Sequence, residues 1–362
     1  MSSPRKWIKY LILLILFLAA ATWFGLTRLK DNGFDWGKFQ TALLSLDPFW
    51  LGFAIFLILL TYMGRAIRWA AMIKPIAPRA SLVRLFRAQV IGFTAVTLFG
   101  RPGELVRPYL IARSENVSFS SQLAVWFLER VFDLLAVLLL FGLALNQLDP
   151  ATASHVSPRL AWVLRTGGQL AASLALGACL FILALRLFAD ATLSLLARLI
   201  GLMPHALSRR LGGLVEAVAH GIASTKSNSQ MALVLLYTAV EWAIVVAAFY
   251  AILRGFGPTS HLTSWDAIVI CGFVAFGSII QIPGVGGGMQ IVSFLVLTEI
   301  YGVSNESAGV MAILLWLCTF AIVVPAGLAL AFQDGLNWGK LRHLPDEAQA
   351  GKPDEPNLGK VE

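Results

Sequence analysis

The sequence predicts an all-α polytopic membrane protein with about six transmembrane helices plus two opposed re-entrant hairpins, arranged as an inverted repeat. Three observations predict it. Hydrophobic residues make up 58% of the chain and charged residues only 13%, with mean hydropathy +0.76, whereas a soluble chain carries roughly 25% charge. Apolar runs long enough to cross a ~30 Å hydrocarbon layer recur along the chain. Twice, such a run is stopped by proline and glycine and followed by an arm too short to cross. Broken backbone at membrane depth is tolerated only inside protein or beside a water-filled cavity.

The elements follow in order. Arg5, Lys6 and Lys9 precede a first apolar run, Tyr10 to Leu26. It reads as a retained span and not a cleaved leader, because Trp23 and Phe24 stand where cleavage wants small residues. Residues 27–47 read as a polar loop and Phe49 to Met72 as the second span. Arg65 and Arg68 lie near its far end, with Lys74, Arg79, Arg84 and Arg87 close behind; that density of positive charge marks the cytoplasm. Leu85 to Phe99 enters the apolar layer and Arg101-Pro102-Gly103 stops it. The return arm, Glu104 to Arg113, is ~15 Å long as a helix, half of the layer. Gln122 to Leu145 is a full span containing Glu129, Arg130 and Asp133. Residues 146–166 lie outside, and Gly168 to Phe188 crosses back.

In residues 189–230, Leu193, Leu196, Leu199, Ile200 and Met203 recur at helical spacing with Arg198, Arg209 and Arg210. This reads as an amphipathic cytoplasmic segment lying on the membrane face. Met231 to Leu253 crosses outward with Glu241 near its middle, and Arg254 to Ser264 is an outer loop. Ala267 to Gln281 enters, Ile282 to Gly288 stops it, and Met289 to Tyr301 returns. Ala308 to Phe332 is the last span, and residues 336–362 read as a disordered cytoplasmic tail within a chain whose membrane domain covers 1–335.

The two halves, about 5–146 and 167–335, look alike: a break, an apolar half-arm, then Val117-Ser118 or Val303-Ser304 opening a long span. Three crossings and one hairpin per half make the second half inverted, with both termini cytoplasmic. Of the 28 lysines and arginines, only Arg28, Lys30, Lys38, Arg159, Arg165 and Arg254 fall in segments assigned outside. Inverted repeats with broken helices are a transporter signature, with binding at the repeat interface.

The net charge of +8 reads as attraction to anionic lipid at the cytoplasmic face. Nucleic acid would want a basic stripe on a soluble module, and the chain offers none. Cys179, Cys271 and Cys318 sit in apolar runs as small hydrophobes, and the five histidines form no ligand pattern, so neither a metal nor a cofactor is expected.

The chemistry concentrates in Arg101, Gly103, Glu104, Arg107 and Arg113. A charge at membrane depth costs at least ~2.5 kcal/mol and is usually kept for function. Arg107 and Arg113 are candidate anion ligands, since guanidinium matches phosphate oxygens in pairs. They serve equally as structural partners of Glu104, Glu129 and Asp133. Glu129 and Asp133, one turn apart beside Arg130, either titrate as a proton moves or balance the hairpin arginines. Glu241 is either a protonation site or a hydrogen-bonded neutral acid. Arg65 and Arg68 are either ligands or helix-end arginines reaching for headgroups. Gln281, Pro283, Gly284, Gly286, Gly287, Gly288 and Gln290 form a glycine-rich stretch, either a backbone cradle for substrate or a tight hairpin turn. It lacks the Lys-Ser/Thr of a nucleotide loop.

The run Gly100-Arg101-Pro102-Gly103-Glu104-Leu105-Val106-Arg107-Pro108-Tyr109-Leu110, then Glu129-Arg130-Val131-Phe132-Asp133, then Pro283-Gly284-Val285-Gly286-Gly287, resembles the lysylphosphatidylglycerol synthase transmembrane-region family, the flippase-like domain proteins. The resemblance covers most of residues 5–335. It implies a multi-pass protein of the bacterial inner membrane that moves a phospholipid or a lipid-linked headgroup across the bilayer. The aminoacyl-lipid synthases of the family add a soluble transferase; the expectation here is a stand-alone domain without that enzymatic activity. Relatives often carry an arginine in the final span, where Leu315 and Trp316 stand here. Two other readings compete with an anionic-lipid carrier: a membrane-embedded lipid-modifying enzyme, and a non-transporting partner of an envelope biosynthetic enzyme. The sequence leaves the oligomeric state open.

Overall fold

A computed structural model describes residues 35–146, 158–187 and 228–336. The expected first span, nearly all of the amphipathic segment 189–230, the middle of the loop 146–166 and the tail beyond Leu336 lie outside the described residues.

Apart from one two-residue β-hairpin, the described chain is helical. Helix α1 (Trp36–Leu44) occupies part of the stretch expected as loop. Asp35 makes it possible by accepting hydrogen bonds from the Gly37 and Lys38 N–H groups, an N-cap; Phe39 and Ala42 then pack into the core. Helix α2 (Pro48–Ile73) starts with Asp47 as N-cap and proline in the first turn. Helix α3 (Leu82–Phe99) is capped by Ser81 and ends at Gly100. A 3-10 turn, Arg101–Leu105, leads to the short helix α4 (Val106–Glu115), which closes on Asn116 in the left-handed conformation. Helices α5 (Phe119–Asn146) and α6 (Pro158–Leu187) are long and pack along each other.

Helix α7 (Asn228–Arg254) leads through a 3-10 turn at Gly257–Thr259 to α8 (Ser264–Gly277), which opens with a capping box of Thr263 and Asp266. A miniature antiparallel pair follows, β1 (Gln281–Ile282) with β2 (Gly286–Gly287). Gly286 and Gly287 have φ of 109° and 117°, a region closed to side-chain-bearing residues. Helix α9 (Gly288–Glu299) returns. The last expected span is broken into α10 (Asn305–Thr319) and α11 (Val324–Gln333) around a 3-10 turn at Ala321–Val323. Pro325 is the cause: it removes an N–H and its ring would clash with the carbonyl four residues earlier.

Four stretches are long and apolar enough to cross a membrane, by length and composition: Pro48–Ile73, Leu82–Phe99, Ala232–Arg254 and Asn305–Gln333. Three match expected spans. The fourth is the entering arm of the first expected hairpin, whose 18 residues reach ~27 Å as a helix. The expected spans at Gln122–Leu145 and Gly168–Phe188 correspond to α5 and α6. Their outward faces, like those of α2 and α7, carry exposed large apolar residues such as Phe56, Leu143, Leu174 and Leu236, as lipid contact requires.

Helices α2 and α7 pack against each other as a central pair. Around it, α3 packs on α2 and α11, and α5 packs on α4 through its first half and on α8 through Phe141 and Leu145. The order helix, turn, short helix, longer helix occurs twice: α3, α4, α5 and then α8, α9, α10 with α11.

Candidate functional site

The two broken turns meet. The Gly284 N–H donates to the Thr97 carbonyl at 2.9 Å. Arg101 Nε donates to the Ile279 carbonyl at 3.1 Å and Nη2 to the Ser278 carbonyl at 3.2 Å. The third nitrogen of Arg101 pairs with Glu104. Pro283 packs over Gly100, where a Cβ would come within 3.4 Å of the proline ring. Contact between the hairpins is confined to these ends; among the described residues their arms make no extended packing with one another.

Beside the junction lies a buried ion cluster drawn from α2, α4, α5 and α7. Arg68 is at its centre, 1% exposed. Its Nη1 is 2.7 Å from Asp133 Oδ1 and 3.2 Å from Glu241 Oε2, and its Nη2 is 2.6 Å from Glu129 Oε1. Thr238 Oγ1 accepts a further bond at 3.2 Å. Arg107 pairs with the other oxygen of Glu129 and donates to Gln89 Oε1 at 2.9 Å. Its guanidinium stacks 4.5 Å from the Trp69 ring, a cation–π contact strengthened by the absence of water. Arg65 pairs with Glu241 at 2.8 Å. Arg130, whose side chain is 37% exposed, sits 3.1 Å from Asp133.

Local sequence explains the convergence. Arg65 and Arg68 are three apart on α2 and share a face, as do Glu129 and Asp133 on α5. Helix α4 can press Arg107 inward because Gly92 leaves room on α3; a Cβ there would lie 2.6 Å from Arg107 Cβ. Four guanidiniums (Arg65, Arg68, Arg107, Arg130) face three carboxylates (Glu129, Asp133, Glu241), an excess of one positive charge. In a low-dielectric interior that excess attracts an anion far more strongly than at a wet surface.

The cluster opens on a cavity of about 370 Å³, within the range of small-molecule sites. Arg65, Arg101, Glu104, Arg107, Arg130 and Asp133 form its polar wall, while Val137, Val245, Phe249 and Phe276 among others make the remainder apolar. Trp242 Nε1 and Gln281 Oε1 belong to residues lining the cavity and have no hydrogen-bond partner among the described residues.

The sequence candidates therefore separate. Arg65, Arg68, Arg101, Glu104, Arg107, Glu129, Arg130, Asp133, Glu241 and Gln281 are brought together in or behind the cavity wall. Arg113 is not: it is exposed at the far end of α4, where Arg84 and Arg87 of α3 lie nearby. Its distance from Arg107 along the helix, nearly two turns, takes it out of the cluster. Gly103 is buried against the α3 backbone. Gly286, Gly287 and Gly288 shape the β-turn. Gln290 staples that turn, donating to the Val285 carbonyl at 2.8 Å and accepting from the Gly287 N–H at 2.7 Å. The helix-end reading of Arg65 and Arg68 is overturned: both point inward, because three carboxylates on α5 and α7 await them. Sequence reasoning missed Gln89, Gly92 and Trp69. Gln89 and Gly92 share one face of an otherwise apolar run, which was the available signal.

The model of the lysylphosphatidylglycerol synthase TM region family matches residues 7–327, and the chain belongs to that family. No curated protein and no solved structure matches it.

Proposed function

We propose, starting from that membership, that the protein carries an anionic or lipid-linked headgroup across the bilayer, without catalysing a reaction on it. One observation carries the reading: a cluster with one guanidinium in excess opens on a cavity at the point where two broken helices meet. The headgroup enters the polar wall, where Arg130 and Arg65 offer donors to phosphate oxygens. The acyl chains stay in lipid. In this reading the two hairpins enter from opposite leaflets, in an inverted repeat, and alternate in closing the cavity. Arg101 holds the closed junction through carbonyls it releases when a phosphate competes for it. The site residues Arg65, Arg68, Arg101, Glu104, Arg107, Glu129, Arg130 and Asp133 serve together, with Gln281 opposite, and Glu129, Asp133 or Glu241 takes up a proton if transport is coupled to one. The membrane is the inner membrane of a bacterium, with both termini in the cytoplasm.

The test is lipid translocation in proteoliposomes, read by dithionite quenching of a fluorescent anionic phospholipid. Arg107→Ala and Glu104→Ala are each expected to cut the rate at least ~10-fold. Wild-type rates in both variants overturn the site. Appearance of a modified lipid with the purified protein would favour the enzyme reading instead.

A further inference from the structure

A second basic feature stands apart from the cavity. The ends of α3, α4 and α11 enclose a groove of about 340 Å³. Its rim carries Arg84, Arg87 and Arg113. Two of these are held in place: Arg84 donates from Nε and Nη2 to both Glu115 oxygens, at 2.9 and 3.0 Å, and Arg87 bonds Asp334 at 2.5 Å and the Leu330 carbonyl at 3.4 Å. Arg113 has no partner among the described residues, so three guanidiniums stand against two carboxylates. The floor is apolar, formed by Ala88, Ile91, Leu110 and Leu336. Immediately beside Arg84, Leu82 and Val83 expose their side chains. The groove thus lies where an apolar outer surface gives way to charge.

We infer that this groove binds the phosphate of an anionic phospholipid, separately from any cargo in the cavity. The chemistry recommends a lipid over a soluble anion. Pinned guanidiniums present donors without further loss of side-chain freedom. Arg113 supplies a guanidinium that no described carboxylate holds, and the apolar floor receives the glycerol end of an acyl chain. Basic pockets between membrane helices hold anionic headgroups in this way. A lipid seated there touches both arms of the first hairpin and the end of α11, so it braces the hairpin at its base, at the opposite end from the junction.

The experiment uses the full chain in lipid nanodiscs with a photoactivatable phosphatidylglycerol, followed by mapping of the labelled peptides. Label is expected on peptides covering residues 82–91, 106–115 and 328–336, and Arg113→Gln is expected to reduce it roughly 10-fold, while Arg113→Lys retains most of it. Equal labelling by a photoactivatable phosphatidylcholine overturns the inference, as does unchanged labelling in Arg113→Gln. Loss of label on adding millimolar inorganic phosphate also overturns it, and assigns the groove to a free anion. Label confined to peptides lining the cavity counts against this groove without touching the carrier reading.

Discussion

Arg68 shows what a buried charge demands of its surroundings. Three carboxylates converge on it within 3.2 Å, and removing one partner from such a cluster leaves uncompensated charge, at a cost of about 3–5 kcal/mol. Glu129→Gln is therefore expected to lower the melting temperature of the detergent-solubilised protein by many degrees, because it removes the one carboxylate paired with buried Arg107 and one of the three around Arg68. Arg130→Gln, whose side chain is 37% exposed and whose loss leaves Asp133 still paired with Arg68, is expected to lower it less; equal losses in the two variants would argue that the number of remaining partners does not rank these groups. The sequence showed which residue types were displaced from their usual solvent. It did not show which way they faced. Glu129 and Asp133 were legible as one helical face, but Arg68 stayed open between a ligand and a helix-end arginine because its partners come from α5 and α7, far off in the chain. Arg113 misled for the opposite reason: it shares a motif with Arg107 but not its depth.

At the scale of elements, the two backbone breaks, after Phe99 and after Gly277, were legible from proline and glycine in apolar surroundings. Their boundaries were not, since 3-10 and β-turn geometry depends on a neighbour. Gly284 donates to Thr97 in the other half of the chain, a contact that no local pattern encodes. Cysteines placed at Thr97 and Gly284 are expected to cross-link under mild oxidation and to slow translocation, with reductant restoring it. Failure to cross-link would show that the tips do not meet in the bilayer. Gly92→Val is expected to abolish translocation as well, because a Cβ already collides with Arg107. A wild-type rate in that variant would mean α4 does not seat as described. The broken last span was foreseeable from Pro325, and the capped helix α1 from Asp35; neither local signal outweighed the apolar run or the polar composition around it.

For the whole molecule, hydropathy made the multi-pass membrane class legible, and the proposed topology, drawn from the bias of lysine and arginine, puts Lys38 and Arg79 on opposite sides of the membrane. Single cysteines at these two positions are expected to react with a membrane-impermeant maleimide from opposite faces; labelling from one face would overturn the topology. The central claim is that excess positive charge beside the hairpin junction selects an anionic headgroup. The most direct measurement is the ratio of translocation rates for an anionic and a zwitterionic phospholipid, in wild type and in Arg130→Gln, with Lys38→Gln as a control remote from the cavity. The account expects a clear anionic preference in wild type and in the control, falling toward unity in Arg130→Gln. No preference in wild type, or an undiminished one in Arg130→Gln, would contradict it.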